Sequence, residues 1–559
     1  MNSKAKITEP DLNFNPMLTA DNDTPSQVGI FKAMSAHAFY PHAVEKIEHR
    51  DTNISKVFLT GQYAYKIKKP VNLEYLDFTT LKSRKHYCEQ EIILNRRLAP
   101  AIYLAVVPIT FKDGQYQLDG TGTPVEYAVK MRQLPGSLSM RNLMRRGRLD
   151  RDSINGLAHK LATFYQQDTC DKHINAFGSW QMIWANCEEN FRQANPFVGD
   201  IIDERKFQII RSATRAFMIR RNALFDRRVE KQRIRDCHGD LRTGHIYFSD
   251  GIQIIDCIEF NDRFRYADVT SDLAFLAMDI DFEGHPETAR QLINIYAKDT
   301  KDRELFVLLN FYKCYRALVR AKVSCFRLQE NNDTNLETHG RIRKTRRYVD
   351  LAYRYAVQFT RPTIWVICGL PASGKSTIAG ELAKIFKITV LRSDVVRKAL
   401  FGLNPKEPQD EAYEEGIYSK EASAQTYAKL LLLAQEEVAQ GQSVIIDATY
   451  AGEHQRDGVL RLAKDVDANI IFVECIAPYP VLKRRMAARG KTATISDARL
   501  RHLKQFRSRF EPLTEIRHEL RIRVETTMAL DESIRQILAH DHFATSQQIG
   551  ELMKNRLSE

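Results

Sequence analysis

The period of apolar and polar positions changes along the chain, and the changes divide it. From roughly 55 to 130 the runs VFLTGQYAYKIKK and YLAVVPITF read as strands, interrupted by a helical pattern near 80–98. From about 136 to 235 long charged helical patterns dominate. A short strand-rich stretch (His245–Phe248, Ile252–Ile258) follows, then more helix to about 358. After Pro362 strands alternate with helices: TIWVIC from 363, ITVLRSD (388–394), SVIIDAT (443–449), NIIFVECIA (469–477) and RIRVETT (521–527), with a helix near 420–440 that stops at Gly441. Continuous apolar strands between helices predict a parallel sheet with helices on both faces. Pro362 closes Phe359-Thr-Arg-Pro362 and marks the boundary, because proline ends the helix before it. Residues 1–30 are polar and turn-rich and predict disorder. The expected plan is therefore one domain over 31–358, a second over 362–540, and a tail at 541–559.

Composition sets limits on this plan. A chain of 559 residues exceeds what one core organises, and 43% apolar with 27% charged residues is ordinary for a globular protein. Nine cysteines, an odd number with no C-x-x-C pair, point to reduced thiols in a cytoplasmic setting and away from a disulfide framework or zinc site. The segment MNSKAKITEPDLNFNP has no apolar signal region, and no run of about 18 apolar residues exists, so neither secretion nor a membrane span is expected. The formal charge of +13 gathers at Arg141–Arg148, Arg205–Arg235, Arg341–Arg347 (RIRKTRR) and Lys483–Lys491. Such clusters suit nucleic acid. They equally suit a phosphate-handling enzyme with solvated helix faces, which is favoured because no aromatic-interleaved basic motif accompanies them.

The strand TIWVIC runs into Gly369-x4-Gly374-Lys375-Ser376, with Ser373 inside the loop and Thr377 after it. Glycines let successive backbone N–H groups face phosphates, Lys375 reaches the β/γ-phosphates, and the Ser376 hydroxyl suits Mg²⁺. Ile378, Leu382 and Ile385 recur at helical spacing, so a helix N-terminus faces the anion. Asp447, closing an apolar strand, is the candidate Mg²⁺ carboxylate. Asp394 is the candidate base for an acceptor hydroxyl, with Arg397 gripping the acceptor or a phosphate. Arg485 and Arg489, one helical turn apart before a polar stretch, suit a lid over the transferring phosphate. Together the loop, Asp394-x-x-Arg397, Asp447 and the arginine pair resemble P-loop kinases of the polynucleotide-kinase, zeta-toxin and gluconate-kinase group, over about 362–530.

A second site lies upstream. DCHGDLRTGHI (236–246) resembles a kinase catalytic loop with Asp240 as its base, and IIDCIEF places Asp256 sixteen residues on, where a metal aspartate belongs. YAYK (63–66) resembles the lysine-bearing strand, with Lys66 for the α/β-phosphates and Glu91 as its helix partner. The set resembles the aminoglycoside-phosphotransferase-like branch of the kinase fold over about 35–345, which implies a two-lobed domain. FLTGQYAYKIKKPV, CIEFNDRFRYADVTSDLAFL and GLPASGKST make the whole chain similar to bacterial fusions of such a domain with an AAA-type P-loop kinase. That resemblance makes Asp272 a structural brace of the catalytic loop. Two departures stand out: His245 replaces the usual metal-binding asparagine, so a neutral imidazole becomes the candidate ligand, and no G-x-G-x-x-G loop precedes Lys66, where only Gly61 is present.

The fold class expected is thus mixed, an α+β kinase-like domain followed by an α/β P-loop domain. The expected activity is ATP-dependent phosphoryl transfer with Mg²⁺ to a hydroxyl at each of two sites, with GTP as an alternative nucleotide. The alternatives are a regulatory ATPase whose N-terminal half only binds, favoured by His245, and a 5′-hydroxyl kinase of nucleic-acid ends, favoured by charge and Asp394-x-x-Arg397.

Overall fold

The computed structural model describes residues 26–73, 75–167, 171–330, 335–404, 414–489 and 499–558. They form two compact units: one runs to Pro135 and takes in Glu259–Asn261, and the other holds Gly136–Ile258 with the chain from Asp262 on.

The first unit is a six-stranded antiparallel sheet in the order Glu48–Asp51, Ser55–Leu59, Tyr63–Lys68, Thr123–Arg132, Tyr103–Lys112, Gln115–Leu118. Strand alternation sorts its side chains. Phe58, Tyr65 and Ile67 join a core closed by Ile30 and Met34 of the helix Gln27–Met34. That helix corrects the expectation of disorder to residue 30: Ser26 caps it, accepting from the Gly29 N–H, and its apolar face is buried. Residues 1–25 lie outside the described residues. Lys66 and Lys68 have the opposite parity and meet the helix Leu81–Arg96, which Thr80 caps.

The second unit contains the helical bundle and the P-loop sheet. The sheet is parallel and five-stranded, in the order Thr389–Arg392, Val444–Asp447, Thr363–Cys368, Asn469–Ile476, Arg521–Glu525. Ile364, Val366 and Cys368 face a core shared with Leu430 and Ala434 of Lys420–Ala439, and with Val459 and Ala463 of Glu453–Asp465. Trp365, of the other parity, packs on Phe386 of the helix Lys375–Phe386, so both faces are covered. The preceding helix Asn335–Thr360 ends two residues before the first strand, around Pro362. Helix Leu530–Ser558 runs through the stretch expected to be a tail from 541, because Ile534, Ile537, Leu538 and Ala544 are buried along it. Among the described residues no helix is long and apolar enough to cross a membrane. The eight described cysteines are buried and form no disulfide with one another.

One buried ion cluster fixes the helix Val269–Phe282, which carries Asp272. Asp268 caps that helix, accepting from the Thr270 N–H. Arg228, fully buried, donates Nε and Nη2 to the two Asp268 carboxylate oxygens at 2.8 Å each, and Nη2 to Asp302 at 2.8 Å. Removing the arginine strands two buried carboxylates. Arg228→Met is expected to destabilise the second unit by about 3–5 kcal/mol, the usual result of breaking a buried pair on one side. Urea unfolding followed by circular dichroism would read this as an earlier transition.

Candidate functional site

In the first unit, Lys66 Nζ lies 2.8 Å from Glu91 Oε1, and Lys68 Nζ lies 2.8 Å from Glu91 Oε2 and also pairs with Glu259. Glu91 and Lys68 are fully buried, whereas the Lys66 side chain retains 13% exposure. Among the described residues two ammonium groups face two carboxylates here, which lets the charges persist out of water. Of the two lysines, Lys66 is the one whose side chain keeps some exposure. Lys68 orients Glu91 from behind.

In the second unit the loop after Ile234–Asp236 is held by Asp272, which is fully buried and forms no ion pair among the described residues. Its carboxylate accepts from the His238 N–H at 2.9 Å, the Gly239 N–H at 3.0 Å and the Tyr165 hydroxyl at 2.8 Å. Gly239 has φ +84°, and a Cβ there would stand 2.9 Å from the Phe264 carbonyl oxygen, so only glycine fits the turn. This turn presents Asp240. Within the expected strand-rich stretch Ile252–Ile258 the strand stops at Ile254, and Asp256 follows in the left-handed region at φ 66°.

Asp240, His245 and Asp256 each offer a ligand atom, all within 4.8 Å of one another. The His245 Nδ1 lies 3.0 Å from the Asp240 carbonyl oxygen, which only accepts, so Nδ1 carries the proton and Nε2 the lone pair. Burial and then the Arg242 guanidinium lower this imidazole to about 4, against the pull of Asp240 and Asp256, so it is neutral at pH 7. Two carboxylates and a neutral imidazole suit a divalent cation. Arg242 already uses part of that set. It donates to both Asp240 oxygens at 2.7 and 2.6 Å, and to His245 Nε2 at 2.9 Å. Burial opposes the Asp240 charge, but Arg242 and His245 outweigh it and hold the carboxyl well below its usual range. The guanidinium therefore competes with a metal for the same lone pairs.

The P-loop lies in the same unit. Gly369 has φ +129°, and a Cβ there would sit 2.4 Å from the Cys475 carbonyl oxygen, so the loop leaves its strand only through glycine. Gly374, at φ +98°, precedes helix Lys375–Phe386. Lys375 Nζ donates to the Gly369 and Leu370 carbonyls at 3.0 and 2.9 Å, folded back over its own loop. The Ser376 hydroxyl donates to Asp447 Oδ2 at 2.7 Å. Strand register sets Arg392 beside Asp447, with Nε 3.8 Å from Oδ2. The Thr377 N–H donates to the Gly374 carbonyl, and the buried Ser373 hydroxyl has no partner among the described residues. A cavity of about 670 Å³ joins Lys375, Ser376 and Asp447 to Asp394 and Arg397. Asp394 sits in the first turn of Ser393–Leu400. Arg397 donates to the Ile417 carbonyl at 2.8 Å and the Ser423 hydroxyl at 3.2 Å, and stacks over Tyr418.

Arg485 departs from the expected lid. It donates Nη1 to the Thr526 hydroxyl at 2.9 Å and Nη2 to the Thr526 carbonyl at 2.8 Å, while the Thr526 hydroxyl donates to the Ser373 carbonyl at 2.6 Å. Its donors are engaged in bracing the P-loop backbone. Arg489 ends the helix Tyr479–Arg489; its side chain and 490–498 lie outside the described residues.

Residues 191–306 match the phosphotransferase enzyme family, and residues 364–513 match an AAA domain. The chain is a fusion of these two domains. Over 445 residues the fusion is 29% identical to uncharacterized proteins of Mycobacterium tuberculosis and Mycobacterium bovis, covering 79% of this chain and 86% of theirs. Among solved structures, a choline/ethanolamine kinase family protein from Mesorhizobium loti is 13% identical with a TM-score of 0.34, over 58% of this chain and 99% of that one. The APS kinase of Mycobacterium tuberculosis is 19% identical with a TM-score of 0.25, over 32% and 97%. The two matched domains make the fusion a phosphotransferase with a nucleotide-binding P-loop.

Four residues escaped the sequence reading: Lys68, Glu259, Arg242 and Arg392. Lys68 and Arg242 each stand two positions after a residue that was singled out, and strand parity alone places Lys68 with Lys66. Glu259 had no local signal, being 191 residues from its lysine.

The competition at Asp240 has a measurable consequence. Arg242→Gln is expected to tighten Mn²⁺ binding in the absence of nucleotide, and Asp256→Asn to weaken it, when titrated in a Ser376→Ala background. Equal affinity in both would remove this trio as a metal site.

Proposed function

We propose that the fusion is an ATP- and Mg²⁺-dependent kinase of the cytoplasm with two transfer sites, each passing a γ-phosphoryl group to a hydroxyl. The observation that carries the reading is the shared cavity in which the phosphate-binding Lys375, Ser376 and Asp447 meet Asp394. In that site Lys375 and the N-terminus of its helix hold the phosphates, turning from the loop carbonyls that Lys375 now contacts. Asp394 accepts the proton of the incoming hydroxyl, and Arg397, stacked on Tyr418, orients the acceptor. Arg485 positions the loop through Thr526. In the first unit Lys66, set by Glu91, is the lysine proposed for the α/β-phosphates, and in the second unit Asp240 is the group proposed to take the hydroxyl proton. Mg²⁺, when bound, supplies charge neutralisation on the phosphates; Ser376 and Asp447 would hold it in one site, and His245 and Asp256, beside the base Asp240, in the other. ATP is the nucleotide proposed, with GTP as the alternative.

A second reading, in which the N-terminal half binds nucleotide without transferring phosphate, is favoured by the Arg242 clamp on Asp240 and by His245. Radiolabelled ATP with a panel of sugars, aminocyclitols, nucleosides and 5′-hydroxyl oligonucleotides separates the two. Lys375→Ala is expected to lower P-loop transfer by at least ~10²-fold, the scale of one lost charge-stabilising group. Asp240→Asn is expected to lower only N-terminal transfer, by ~10²–10⁴-fold, the usual range for a lost general base. If Lys375→Ala leaves every transfer at the wild-type rate, the P-loop role is wrong. If Lys375→Ala abolishes all transfer, the N-terminal half is a binding module.

A further inference from the structure

Two arginine clusters far apart in sequence, at 141–148 and 341–347, meet in the second unit. With Arg242 between them they wall a cavity of about 390 Å³. Seven arginines and one lysine line it, against a single carboxylate, Glu283. Arg141 and Arg145 share that carboxylate, at 3.0 and 2.9 Å. Among the described residues Arg320, Arg343, Lys344 and Arg347 have no carboxylate within ion-pair distance. The Arg320 Nε also has no hydrogen-bond partner. Loss of surrounding water, then the guanidinium groups of Arg320 and Arg141, push the Lys344 ammonium below its usual range. So many like charges around one hollow repel each other unless an anion is present.

The cavity also adjoins the transfer chemistry. Arg242 lines it while gripping both Asp240 oxygens, so one guanidinium links the cavity wall to the candidate base.

We propose that this cavity is the acceptor site of the N-terminal centre, and that it takes a small hydroxyl compound carrying phosphate groups. This rests on the reading of Asp240 as the base of that centre. Three features select the class. The charge excludes amine-bearing acceptors, which would add cations to cations. The volume is that of a small-molecule site, near the lower end of about 300–1,000 Å³. The cavity's two rings are already occupied: Phe282 and Tyr348 stack on each other at 4.0 Å, with Arg347 over Phe282 and Arg320 over Tyr348. No ring is left as a platform for a nucleic-acid base, which single-strand binders need.

The test is calorimetric titration of inorganic pyrophosphate into the full chain, with both nucleotide sites saturated by a non-hydrolysable ATP analogue. Binding is expected, weakening as salt rises. The double variant Arg343→Glu/Lys344→Glu is expected to lose at least about tenfold in affinity, the scale of one lost charged hydrogen bond. Arg320→Gln is a milder second variant expected to move the same way, with circular dichroism checking that both fold. Asp240→Asn is expected to keep pyrophosphate binding, which supports the cavity whatever becomes of transfer at Asp240. Absent binding, or unchanged binding in the two cavity variants, overturns the proposal. So does a 5′-hydroxyl oligonucleotide that binds more tightly than pyrophosphate and is lost in the double variant.

Discussion

Two buried carboxylates on one helix hold the N-terminal centre together. Asp272 and Asp279 sit seven residues apart on Val269–Phe282 and are 0% and 1% exposed. Neither is neutralised by a close, fully buried ion pair. Asp272 is satisfied by two backbone N–H groups and a tyrosine hydroxyl, and Asp279 by the Thr243 N–H at 2.9 Å and hydroxyl at 2.5 Å, with Arg141 at 3.3 Å. A buried charge tolerates few alternatives. The loop 238–243 must therefore bring its N–H groups to these oxygens, and its curvature is a consequence of that demand. Arg228 extends the same logic to the helix start, where it holds the capping Asp268. Asp240 is thus displayed by a scaffold held together by Asp272, Asp279 and Asp268.

The P-loop reaches a comparable end by other means. Its anion site is made of backbone and helix N-terminus, with glycine at Gly369 forced by the Cys475 carbonyl and the loop tied from outside by Thr526 and Arg485. Few buried charges are needed. The ligand-facing groups, Lys375 and Ser376, are parked on the loop carbonyls and on Asp447. The acceptors on Lys375 are neutral carbonyls, and Ser376 and Asp447 share a single hydrogen bond. Asp240 is instead held by a bidentate guanidinium, a stronger contact. The two loops therefore differ in how tightly their polar groups are held.

What was legible in the sequence was what short spacing encodes. The P-loop between its strand and helix, the strand-end Asp447, and the order of Lys66, Glu91, Asp240 and Asp256 all follow from runs of about ten residues. The parallel sheet followed from uninterrupted apolar strands. What escaped depended on chain segments meeting from afar. Lys68 pairs with Glu259, and the 141–148 and 341–347 clusters looked like solvated helix faces because nothing local shows that they face one hollow. The end of the chain was misjudged for a related reason. The mixed composition after 540 hides Ala544, whose burial depends on neighbours and not on its own helix.

The formal charge of +13 likewise has a location, not merely a sum. The P-loop cavity sets its basic side chains against Asp394, Glu414 and Asp447, and Arg509 pairs with Glu414. The smaller cavity has eight basic groups and one acid. Its bias toward arginine is itself informative. Guanidinium groups keep their charge when crowded, and their planar fork matches the oxygens of a phosphate, whereas burial and neighbouring cations lower a lysine, as they do Lys344. A wall built to stay positive at close quarters calls for arginine, and seven of the eight basic groups there are arginine.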